Sequence, residues 1–132
     1  MTIMLDTNIC IYIMKKKPET VLKQLKKYDK GEICISAITL AELEYGVSKS
    51  SSPSKNQLAL TIFLSGISVL PFDEKASVEY GNIRAELEKQ GKPIGANDLL
   101  IAAHARSLNF TLVTNNTKEF NRVNGLKVEN WV

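Results

Sequence analysis

At 132 residues the chain has the size of one domain, expected to span residues 1–132 and to bury roughly two-thirds of its unfolded surface. Its 44% apolar and 23% charged residues exclude general disorder, and a formal net charge of +3 is too mild to define a nucleic-acid binder. No apolar run approaches the roughly 18 residues of a membrane span, because Asp6 breaks the first and Lys15-Lys16-Lys17 closes the second. Neither a signal peptide nor a membrane anchor is therefore expected. Cys10 and Cys34 sit singly in apolar runs, with no CxxC pair, and read as reduced core thiols of a cytoplasmic protein.

In chain order, Ile3 to Leu5 reads as a buried strand that delivers Asp6 to a sheet edge. Thr7 or Asn8 caps a helix of two turns ending near Met14. Pro18 opens a second helix, expected to run to about Lys30 and to stop at Gly31. Its apolar stripe is Val21, Leu22, Leu25 and Tyr28, and its lysines read as a solvated face. Ile33 to Ser36 is a second buried strand, and a helix follows from about Ala37 to Ser48. The serine-rich stretch Ser48 to Ser54 reads as a mobile loop before a helix over Leu58 to Ile67.

Ser68 to Leu70 is a short strand, and Asp73 starts the longest helix, with Ala76, Tyr80, Ile83 and Leu87 on one face and Gly91 at its end. The loop Lys92 to Ala96 leads into a helix over Asn97 to Leu108, then a strand over Thr111 to Thr114. A short helix around Glu119-Phe120 and an edge strand near Lys127 to Glu129 complete the chain. Short apolar strands alternating with amphipathic helices imply an α/β fold: three layers, α/β/α, around a mainly parallel sheet of four to five strands. Asp6, Ser36 and Thr114-Asn115-Asn116 then share the carboxyl edge, where open α/β sheets bind ligands.

Asp98 shares a helix face with Ile101, Ala102 and Ala105, so its carboxylate heads the apolar stripe. The third helix offers both Glu42 and Glu44, and periodicity alone does not choose between them. Asn116 and Glu119 lie just beyond the Thr111–Thr114 strand. Carboxylates brought together raise one another's pKa, a conflict that a divalent cation removes. Mg²⁺ or Mn²⁺ suits a pocket of carboxylates and water. His104, the single histidine, lacks a second His or Cys at ligand spacing, so zinc and Ser-His-Asp schemes lack parts, and it reads as structural or as part of the site's rim. No phosphate-cradling glycine motif is present.

Leu5-Asp6-Thr7-Asn8, Ala41-Glu42-Leu43 with Gly46, Pro93-Ile94-Gly95 with Asp98, Ile101 to Ala105, and Val113 to Asn116 with Glu119-Phe120 occur in this order. Together they resemble the PIN-domain ribonuclease toxins of type II toxin–antitoxin modules, the VapC family, and especially members that cleave initiator tRNA in its anticodon stem-loop. The resemblance implies an acidic triad of Asp6, Glu42 and Asp98, with Asp6 and Asp98 as direct metal ligands. It also selects Glu42 over Glu44. Many PIN domains carry aspartate where this chain has Asn116, so the fourth catalytic position is Asn116 or Glu119. Thr7 and Asn8 resemble the residues that orient the first aspartate, with Ser36 and Thr39 lining the same pocket.

The mechanism implied is Mg²⁺-assisted phosphodiester hydrolysis, with Mn²⁺ a possible substitute, and with Arg84 and Lys92 as RNA-backbone contacts. Glu42 would hold a water, hold a second ion or act as base. The implied partners are a VapB-type antitoxin and a second copy of the chain, giving a homodimer and a toxin–antitoxin hetero-oligomer. Their apolar docking surface is expected on the second helix and on Leu58–Leu64. The competing readings are a Mg²⁺-dependent phosphatase or phosphoacceptor using Asp6 as nucleophile, a PIN nuclease acting on another RNA, and a non-catalytic RNA-binding module.

Overall fold

The computed structural model describes residues 2–132; Met1, with which the expected domain begins, lies outside the described residues. In chain order the elements are β1 (Ile3–Leu5), α1 (Thr7–Lys15), α2 (Glu19–Leu25), a 3₁₀ turn (Lys30–Glu32), β2 (Ile33–Ser36), α3 (Ala37–Ser48), α4 (Pro53–Leu64) and β3 (Ser68–Leu70). There follow α5 (Glu74–Lys89), α6 (Ala96–Leu108), β4 (Thr111–Val113), α7 (Thr117–Phe120) and β5 (Lys127–Glu129).

The strands form one five-stranded sheet in the order β3-β2-β1-β4-β5, and every neighbouring pair is parallel. Register fixes which side chains meet. Met4 lies beside Cys34 on one side and Leu112 on the other, and all three point into the layer of α5 and α6 with Ile83, Leu87, Ile101 and Phe120. Ile3 and Leu5, alternating with Met4, point the opposite way, with Ile33, Ile35 and Val113, onto Ile9, Val21, Leu43 and Leu60. The central strands are thus buried on both faces, which is why they read as continuous apolar runs without alternation. Among the described residues no helix is long and apolar enough to cross a membrane.

Several boundaries depart from the sequence expectation. The cap of α1 is Asp6 itself, whose carboxylate accepts the Ile9 N–H at 2.9 Å, and Thr7 and Asn8 are the first helical residues. α2 stops at Leu25 instead of about Lys30, and Gly31 lies within the 3₁₀ turn, so lysine-rich residues 26–29 lie outside the regular helix. The serine-rich stretch is shorter as a loop than expected, because Pro53 sits in the first turn of α4 and Ser54 to Gln57 belong to that helix. Those polar residues face solvent, and only Leu60 of α4 is fully buried, so no apolar periodicity marked the helix start. Asp73 is the cap of α5, accepting the Ala76 N–H at 3.0 Å.

Leu112 is fully buried at the centre of the α5–α6 side, whereas Val78 is 64% exposed. Leu112→Ala should lower the unfolding free energy in urea by about 2–5 kcal/mol, and Val78→Ala should change it by no more than about 0.5 kcal/mol.

Candidate active site

The site grows from the ends of β1 and β4. The Asp6 N–H donates to the Val113 carbonyl at 3.0 Å, continuing the β1–β4 pairing one step past the strands. That step brings Thr114 beside Asp6, and the Thr114 hydroxyl donates to Asp6 Oδ2 while Oδ1 caps α1. Asp6 is only 5% exposed. Burial pushes its carboxyl pKa up, the bonds from Thr114 and from the Ile9 N–H pull it back, and the Glu42 charge raises it again.

Glu42 is the acid that α3 turns toward Asp6. Its Oε1 accepts from the Thr7 hydroxyl at 2.5 Å and its Oε2 from the Asn97 amide at 3.2 Å, while Glu44 is exposed. Asp98, in the first turn of α6, accepts at Oδ2 from the Asn116 amide at 3.2 Å. The same Asn116 nitrogen lies 2.6 Å from Glu119 Oε2, and Glu119 Oε1 accepts the Gly95 N–H at 2.7 Å. Burial lifts the Asp98 carboxyl from its ordinary 3.8 to about 6, reinforced by Glu119, Asp6 and Glu42. Glu119 moves the other way, held down first by the Gly95 N–H and then by the Asn116 amide. Four carboxylates from β1, α3, α6 and α7 therefore act on one another at the carboxyl edge.

Asn116 and Glu119 both belong to this cluster, Asn116 as the amide that bridges the two acids. Thr7 orients Glu42, and the exposed Asn8 supplies a backbone N–H to the Asp6 carboxylate. Ser36 and Thr39 form no hydrogen bond with the acids. The Ser36 hydroxyl accepts the Ile38 N–H at 3.1 Å, capping α3, and pairs with His104 Nδ1 at 2.8 Å. Thr39 is fully buried and its hydroxyl has no partner among the described residues. His104 is buried against the edge of Phe72, with its pKa lowered by that burial, which agrees with a structural role. Arg84 and Lys92 are exposed, outside the hydrogen bonds of the acids: Arg84 bonds Tyr80 and Glu88, and Lys92 closes the end of α5 through its backbone.

Sequence reasoning missed three contributors. Thr114 stood at the edge without a role, although its polar side chain after an apolar strand was the available signal. Asn97 lies next to Asp98 but turns to Glu42. Gly95 acts through its backbone N–H, which no side-chain pattern reveals.

Among the described residues, no three acidic, His or Cys side chains form a ready-made metal cage. The donor set nonetheless fits a hard cation that keeps several waters and takes one or two carboxylates directly. The acids are hydrogen-bonded by hydroxyls, amides and backbone N–H groups, and neither of the two ion pairs among the described residues involves them. No ion pair cancels their charge, and Arg122 acts on Glu119 only weakly and at a distance.

An all-parallel three-layer fold with acids gathered on its carboxyl edge is the arrangement of a PIN domain, and that family's pattern matches residues 3–126. Relatives agree over almost the whole chain. Ribonuclease VapC2 of Haemophilus influenzae is 50% identical, covering 98% of this chain and 97% of its own length. The tRNA(fMet)-specific endonuclease VapC of Shigella flexneri is 49% identical, covering 97% of this chain and 96% of its own. The solved VapBC2 structure from Rickettsia felis, bound to a promoter DNA fragment, superimposes with a TM-score of 0.93 at 49% identity over 100% of both chains. The chain belongs to the VapC family of PIN-domain ribonucleases.

The raised Asp98 pKa has a thermodynamic consequence. Between 3.8 and about 6 the folded protein binds more protons than the unfolded chain, so this contribution to stability is complete below pH 3.8 and lost as pH rises through about 6. In EDTA, Asp98→Asn should melt at a higher temperature than wild type at pH 7, with the gap narrowing toward pH 4.

Proposed function

We propose that this chain is the ribonuclease toxin of a toxin–antitoxin pair, and that it hydrolyses a phosphodiester bond of initiator tRNA with Mg²⁺ held by Asp6 and Asp98. The observation that carries this reading is the cluster of Asp6, Glu42, Asp98 and Glu119, to which no cationic side chain among the described residues is hydrogen-bonded. Gathered like charges without a cation are costly, and a divalent ion between them attracts every carboxylate and outweighs their mutual repulsion. When bound, Mg²⁺ supplies an acidified water and a positive charge opposite the phosphate.

The protein's own residues orient these parts. Thr114 and the Ile9 N–H fix both oxygens of Asp6, so its carboxylate presents one geometry. Asn116 donates to both Asp98 and Glu119 and so ties the two acids together. Glu42, held by Thr7 and Asn97, is placed to accept a proton from an attacking water. The choice of tRNA rests on similarity to relatives named tRNA(fMet)-specific endonucleases. Relatives named ribonuclease and tRNA(fMet)-specific endonuclease favour the nuclease reading over the phosphatase and non-catalytic ones.

Solved relatives in VapBC complexes support an antitoxin partner. A groove of about 320 Å³ between α1, α3 and α4 suits its apolar segment: Ile11, Met14, Leu43, Val47 and Leu60 line it, and Glu42 and Lys15 also border it. Leu58 and Ile62 of α4, 62% and 64% exposed, extend the apolar surface, whereas α2 exposes no large hydrophobic residue. This exposure supports α4 over α2 for the contacts with an antitoxin or a second copy. Location in the cytoplasm accords with Cys10 and Cys34 as free, buried thiols, the latter pushed up to about 11 by burial.

Incubation with total tRNA, with and without Mg²⁺, tests the reading. Asp6→Asn and Asp98→Asn should each lower cleavage by about a hundredfold or more while staying folded. Glu44→Gln should cleave like wild type, and Glu42→Gln should not. Full cleavage by either aspartate variant would overturn the assignment. EDTA should stop wild-type cleavage and added Mg²⁺ should restore it.

A further inference from the structure

A second cleft lies between α5 and the segment that enters α6, outside the hydrogen bonds of the acids. It encloses about 200 Å³ and is bordered by Tyr80, Arg84 and Glu88 of α5 and by Pro93, Ile94 and Leu99. Positions 80, 84 and 88 recur every four residues and so project from one face of the helix. Arg84 Nη1 donates to the Tyr80 hydroxyl at 2.9 Å, and its Nε lies 3.4 Å from Glu88 Oε2. The guanidinium is thus held across the mouth while both ends of the Arg84–Glu88 pair remain accessible, at 55% and 61% exposure.

The far wall of this cleft is shared with the acidic site. Arg122 Nη1 holds the Pro93 carbonyl at 2.9 Å, and Glu119 holds the Gly95 N–H at 2.7 Å. A Cβ on Gly95 would lie 3.7 Å from Glu119 Oε1 and 3.8 Å from Asp98 Oδ2, so the acids lie directly behind this segment. Only this short segment therefore separates a strand bound at the acids from the cleft. The lining combines a phenol ring, a planar guanidinium, apolar walls and one carboxylate acceptor. That set matches a flat ring with hydrogen-bonding edges, since bases stack on aromatic and guanidinium planes and present donors and acceptors at their rims.

We propose that the cleft between α5 and the Pro93–Ala96 segment is a nucleobase subsite, taking one unpaired base of the RNA strand cut at the acidic edge. The proposal rests on the RNA-cleaving reading above, and its first test needs no cleavage. In EDTA, fluorescence anisotropy would measure binding of a hairpin RNA with an unpaired loop, and of a series lacking the base at one loop position at a time. Wild type should lose roughly tenfold or more in affinity at one position, the scale of a single stacked base. Tyr80→Leu should show that loss on the intact RNA and no further loss when the same base is absent. Tyr80→Phe should retain most of the affinity.

If Tyr80→Leu proves unfolded by its melting curve, Arg84→Ala, at an exposed position, carries the same comparison. Equal weakening of every RNA by a folded variant would overturn the subsite. So would the absence of any base-dependent position, which would leave the cleft to a protein side chain. Base-dependent binding without Mg²⁺-dependent cleavage would instead sustain the subsite and refute the nuclease reading.

Discussion

Everything at the active edge depends on how Asp6 is held. One oxygen caps the helix that leaves β1, and the other receives the Thr114 hydroxyl from the neighbouring strand end. A carboxylate that is 5% exposed pays a desolvation cost, and these two donors offset part of it. Because β1 is the middle strand, flanked by β2 and β4, this buried acid stands where elements from both layers of helices can reach it. The fold thus presents a fixed anion around which α3, α6 and α7 each add another.

The remaining acids are restrained by donors that carry no charge. Thr7 and Asn97 hold Glu42, Asn116 spans Asp98 and Glu119, and the Gly95 N–H fixes Glu119. A lysine or arginine at any of these positions would neutralise the cluster permanently and leave less for a cation to do. Hydroxyls and amides instead fix positions without cancelling charge. The cost appears as the raised Asp98 pKa, which strains the ionised site in isolation. Asn116 fits this arrangement: a fifth acid at its position would add repulsion, whereas the amide donates to two of those present.

Much of this is legible in the sequence. Asp6 closes an apolar run, and Asp98 heads the stripe of Ile101, Ala102 and Ala105, so both declared themselves as acids facing inward. The strand spans at Ile33 to Ser36 and Ser68 to Leu70, and the α3 span, agree with the sequence expectation because apolar runs bounded by polar residues define them. The choice of Glu42 over Glu44 was not legible from periodicity, since each has apolar neighbours on its own side of α3. It is decided by Thr7 and Asn97, residues 35 and 55 positions away in the chain. Ser36 shows the converse: a polar residue at the expected edge whose hydroxyl turns to α3 and His104.

By itself, then, the sequence determined the layered parallel architecture and the two inward aspartates, because both follow from local apolar patterning and from where that patterning stops. Tertiary structure alone decided that Thr114 meets Asp6, that Asn116 bridges Asp98 to Glu119, and that the Pro93–Ala96 segment separates the acids from a cleft. These features arise from strand order and helix docking, which bring distant donors within hydrogen-bond reach of one another. A one-dimensional pattern records which residues turn inward; it does not record which inward residues meet.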